Sequence, residues 1–130
     1  MDQLTNRGFW EHIANDKNYD KRVRALLERF QKSLLKTPPA LSKKLRGYFL
    51  EQGTREEFER PYFKKRTLTA HAALLALIFP NEEEYLALLI KYLSSTLGEI
   101  SWALPAHCVG VESEFTGVDL FAAETACMLS

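Results

Sequence analysis

The chain has 130 residues, 46% of them hydrophobic, enough to bury a core and to make a single domain over residues 1–130 the expected count. Seventeen basic residues balance seventeen acidic ones, so no net field draws the chain to nucleic acid or to an anionic membrane. The opening Met1–Arg7 is polar and unlike a secretory leader, so a cytoplasmic location is expected. Cys108 and Cys127 form no Cys-x-x-Cys pair and no ligand-rich cluster, so no metal, cofactor or disulfide framework is signalled.

The first segment, Leu4–Ala14, carries Phe9, Trp10 and Ile13 at helical spacing, with Gly8 lowering its propensity. From Asp20 to Lys36, Val23, Leu26, Leu27, Phe30 and Leu34 predict an amphipathic helix that Thr37-Pro38-Pro39 ends. A further helix over Leu41–Gln52 presents Leu45, Tyr48 and Phe49 and stops at Gly53. Thr54 and Glu57 have the spacing of a capping box, but Pro61 predicts only a short turn there. The next helix, Thr67–Phe79, is apolar on nearly every face of its middle, which calls for cover all round. Its apolar run is about half of the roughly 20 residues that span a bilayer, so no membrane partner is expected. Pro80 breaks it. Asn81 and Glu84 box the start of a helix over Glu82–Leu97, closed by Gly98. Thr116 and Asp119 suggest a third box and a last helix through Phe121, Thr125 and Leu129. No alternating strand pattern occurs. The expected class is all-α, consecutive antiparallel helical hairpins joined by proline- or glycine-marked turns. The apolar Ala126–Leu129 ending suggests that the last helix is cut and that the chain is a piece of a larger protein.

Candidate functional residues gather between the last two helices. His107 follows Pro105 on a loop, and imidazole is the side chain best matched to proton transfer near neutrality. Trp102 offers a flat apolar face with a polar edge, suited to stacking on a sugar ring. Glu99 and Glu124 flank the loop; a carboxylate beside His107 would fix its tautomer, although surface positions are the expectation for both. His71, in the most apolar helix, reads as a core histidine. Arg60, Lys64, Lys65 and Arg66, interleaved with Tyr62 and Phe63, could take an anionic sugar or phosphate, against the plainer reading of a solvated helix start.

The stretch WALPAH at 102–107, followed by VDLFAAETA at 118–126, resembles the N-terminal helical region of heparinase II/III-like polysaccharide lyases. The resemblance implies an incomplete α/α toroid and a parent lyase that cleaves acidic, uronate-containing polysaccharide by β-elimination. In that reaction a base removes the proton alpha to the uronate carboxylate while neighbouring groups neutralise the carboxylate. The family's catalytic residues lie on later helices and a following β-sandwich, so no catalytic residue is assigned in this chain, Tyr62 included. Trp102 and His107 match the family's loop and are expected at the substrate-binding rim. Asp119 and Glu124 match helix positions for which capping and helix packing suffice. A partial ring would leave apolar faces for self-association. The rival expectation is a stand-alone helical-hairpin module that binds a protein partner.

Overall fold

A computed structural model describes residues 6–17, 20–34, 36–108 and 118–130, the side chains at 20, 22, 23 and 26 excepted. Val23 and Leu26, expected on an apolar helix face, and Thr116, expected as a cap, therefore lie outside the described residues. Among the described residues six α-helices follow in order: α1 (Arg7–Asn15), α2 (Asp20–Ser33), α3 (Lys43–Gln52), α4 (Glu56–Ile78), α5 (Glu83–Leu97) and α6 (Leu120–Leu129), with a 3-10 turn at Pro105–His107 before α6. No strand occurs among the described residues, and the all-α class holds. The chain forms two compact units, Met1–Thr37 with Leu68–Tyr92, and Pro38–Thr67 with Leu93–Ser130.

In the first unit, the Asn6 side chain caps α1 by accepting from the Phe9 N–H. This fixes the helix start at Arg7. Trp10 of α1 and Leu27 of α2 pack with Leu75 and Ile78 of α4 in one buried cluster. Each such burial stabilises the fold by about 1.5–3 kcal/mol. Helix α2 ends at Ser33, short of the expected Lys36, where the Ser33 hydroxyl donates back to the Phe30 carbonyl. His71 lies in this unit as a core histidine: its ring stacks on Phe30 at 3.9 Å and Nδ1 meets Ser33 Oγ at 3.0 Å. Burial, assisted by the Arg29 charge, pushes its pKa below the ordinary histidine value. The apolar middle of α4 is not covered all round, since Leu77 stays 36% exposed while Ala72 and Leu75 are fully buried.

In the second unit, Ser42 caps α3 by accepting from the Leu45 N–H, and Gly53 ends it in the left-handed region at φ 70°. Arg46 on α3 is buried; it donates to the Ala103 carbonyl at 2.9 Å and to Cys108 Sγ at 3.6 Å, and lies over the Phe58 ring. In this way α3 packs against the 3-10 turn. Pro61 does not end a turn, as its lack of an N–H suggested; α4 runs through it without a break. The proline sits early in the helix, and Phe58, Tyr62 and Lys65, at helical spacing on both sides of it, are all buried on one face. That burial outweighs the one lost backbone bond. Upstream, the hydroxyl of Thr54 hydrogen-bonds the Glu57 side chain and helps to hold its carboxyl below the usual range.

Candidate functional site

The segment between α5 and α6 is built by α4, α5 and α6 of the second unit. At its base lies an ionic cluster that the sequence did not reveal. Glu99, just past α5, accepts from Lys65 Nζ at 2.8 Å and from both terminal nitrogens of Arg66 at 2.6 Å each. The Lys65 and Glu99 side chains are only 2% and 5% exposed. Glu99 is therefore not the surface carboxylate expected of it. Lys65 and Arg66 are likewise not a solvated helix start, because a bidentate guanidinium fork and a lysine on one buried carboxylate satisfy charges that would otherwise stay in water. Arg66 Nε continues to Thr125 Oγ1 on α6, and its guanidinium lies 3.9 Å from the Tyr62 ring centroid. Arg60 is engaged elsewhere, in an exposed pair with Glu56.

Tyr62 extends the same framework into the loop, its hydroxyl donating to the Trp102 carbonyl at 2.8 Å. Burial pushes the phenol's pKa up, only partly opposed by Thr125 and the Arg66 charge. A neutral, internally bonded phenol is poorly suited to act as a base. Trp102 is half-buried, and its indole N–H donates to the Thr96 carbonyl at 2.9 Å. Ala103, Leu104 and Pro105 behind it are buried, so the loop is anchored at these residues.

At the outer end of the loop, His107 meets Asp119, the residue that caps α6. The cap lies three residues beyond Thr116, because Asp119 Oδ1 accepts the Ala122 N–H at 2.7 Å and the helix begins at Leu120. The other oxygen, Oδ2, accepts from the Leu104 N–H at 3.0 Å and lies 2.7 Å from His107 Nδ1. Burial alone would raise the Asp119 carboxyl, but the Leu104 and Ala122 amides, with His107, outweigh it and hold the pKa below its ordinary value. The His107 ring lies nearly parallel to Phe121, 5.9 Å between centroids, and its side chain is 37% exposed.

Of the residues singled out by the sequence, His107 and Asp119 are thus brought together. Glu99 and Glu124 do not partner His107: Glu99 belongs to the ionic cluster, and Glu124 is exposed beside a recess of about 190 Å³ that Phe63, Phe121 and Met128 also line. No hydrogen bond or ring contact joins Trp102 to His107 among the described residues. Among those residues, no group of three or more His, Cys, Asp or Glu side chains could hold a metal ion, and no helix is long and apolar enough to cross a membrane. Arg46, and the pairing of Lys65 with Glu99, escaped the sequence reading because the partners, Ala103 and Glu99, lie far along the chain and no local pattern marks such pairs.

No family model, curated protein or solved structure matches the chain.

Proposed function

We propose that this chain is the N-terminal toroid segment of a heparinase II/III-like lyase acting on acidic polysaccharide, and that Trp102 and His107 contribute to its substrate-binding rim. The observation that carries the reading is the braced loop: Tyr62, Thr96 and Asp119 fix its two ends while His107 retains an exposed ring. Rigid helices holding an aromatic and an imidazole on one loop suit a saccharide, whose hydroxyls need polar partners beside a flat apolar surface. The chemistry of β-elimination needs a base and a neutraliser for the uronate carboxylate. In this reading both come from later parts of the lyase, and the segment is inactive alone.

The complete gene product, incubated with a panel of uronate polysaccharides, is expected to release unsaturated ends that absorb in the ultraviolet. His107→Ala is expected to lower turnover or affinity by about tenfold, the loss typical of one substrate hydrogen bond, with unchanged circular dichroism. Absence of unsaturated product across the panel would overturn the lyase reading, and equal activity of the variant would remove His107 from the rim.

A second reading, a helical module that docks a protein partner or a second copy of itself, is favoured by Leu86 and Ile90. They lie one turn apart on α5 and are 53% and 56% exposed. Concentration-dependent sedimentation that Leu86→Glu abolishes would support it.

A further inference from the structure

The ligand-facing chemistry of His107 depends on which ring nitrogen carries its proton, and the geometry around Asp119 decides this. Oδ2 already accepts the Leu104 N–H while it lies 2.7 Å from His107 Nδ1, and Oδ1 is occupied by the Ala122 N–H. Three donors converge on two oxygens of a carboxylate held in its ionised form. An ionised carboxylate only accepts, so the contact to the imidazole requires a proton on Nδ1. A neutral imidazole with its proton on Nδ1 has a lone pair on Nε2. Among the described residues, Nε2 has no hydrogen-bond partner. The Phe121 ring lies nearly parallel to the imidazole on one side, 5.9 Å between centroids.

We propose that Asp119 is a positioning residue that holds His107 in the Nδ1-protonated tautomer and thereby presents Nε2 as the hydrogen-bond acceptor for a hydroxyl of a bound uronate sugar. The tautomer follows from the hydrogen-bond geometry, whereas the sugar hydroxyl rests on the functional reading above. A hydroxyl is the matching ligand group because it can donate to a lone pair, which a uronate carboxylate cannot do. The role differs from capping, since capping uses Oδ1 and the tautomer is set at Oδ2.

Nitrogen-15 NMR of the histidine rings in the intact chain at neutral pH tests this, with an oligogalacturonide as the probe. The expected spectrum shows His107 protonated at Nδ1 and bare at Nε2, and saccharide shifts Nε2 the more. Asp119→Asn keeps a side chain that caps helices as well as aspartate does. Its amide NH₂ can donate to Nδ1, moving the ring proton to Nε2 and turning the acceptor into a donor. The variant is expected to bind the probe about tenfold more weakly per folded molecule, the folded fraction being taken from circular dichroism. A proton on Nε2 in the unaltered chain overturns the proposal without needing the variant. Unchanged affinity in Asp119→Asn, with the ring proton moved, overturns it as well. A saccharide response combined with the wrong tautomer removes Asp119's role and spares the rim reading; the expected tautomer with no saccharide response overturns both.

Discussion

Asp119 shows how much one carboxylate can organise. It caps α6 through the Ala122 N–H, pins the loop through the Leu104 N–H and orients His107. Asp119→Ala removes the cap and strands the Leu104 amide, an expected loss of about 2 kcal/mol in urea unfolding at pH 7. Because its folded pKa lies below its ordinary value of 3.8, the carboxylate's contribution is complete above that value and is lost as the pH falls through the folded pKa. Stability measured from pH 6 downward is therefore expected to decline below about pH 4, and to decline less steeply in Asp119→Asn. His71 has the same sign in a different window: its pKa is depressed from 6.5, so the stability from its neutral form is present above 6.5 and falls at lower pH. His71→Phe should flatten the stability profile between about pH 7 and 5. The sequence pointed to His107 and to the need for a carboxylate beside it, but not to the right one. Asp119 stood in the expected capping box as the reciprocal acid, whereas its own extended backbone and side-chain bond make it the cap.

At the scale of elements, the helix signals that worked were the ones set by backbone chemistry. Gly53, the residue that closes α3, has φ 70°, a conformation costly to any residue with a Cβ. Gly53→Ala is expected to cost about 1 kcal/mol, read as a lower urea midpoint with an unchanged slope. Pro61 is the opposite case, a local breaker overruled by burial of Phe58, Tyr62 and Lys65 around it. Pro61→Ala restores the missing backbone bond and should stabilise the protein by about 1–2 kcal/mol in the same assay. The clamp that Lys65 and Arg66 of α4 make on Glu99 could not be read from local spacing, because its members are far apart in sequence and only the fold brings them together. Removing its acid leaves two cations without their partner in a mostly buried place, so Glu99→Gln should cost about 3–5 kcal/mol.

For the whole molecule, the balance of seventeen positive and seventeen negative residues conceals an uneven use of charge. Among the described residues most ion pairs, such as Arg7 with Glu11, are exposed helix-surface pairs, whereas Lys65, Arg66 and Glu99 are withdrawn from water beneath the loop that carries Trp102 and His107. All-α architecture and most helix limits were legible because hydrophobic spacing, prolines and glycines act locally. The division into two compact units was not, because it joins segments from separate parts of the chain. The loop's place between two helices was legible, but its bracing by Tyr62, Thr96 and Asp119 was not, because it comes from tertiary contacts. The claim that this braced loop meets a uronate sugar is tested most directly by titrating the intact chain with an oligogalacturonide and, separately, with a neutral oligosaccharide of equal length, while following the Trp102 indole and His107 ring signals. The expected result is saturable movement of both signals with the uronate, and comparable movement with the neutral sugar because the loop meets hydroxyls; unmoved signals with the uronate would contradict it.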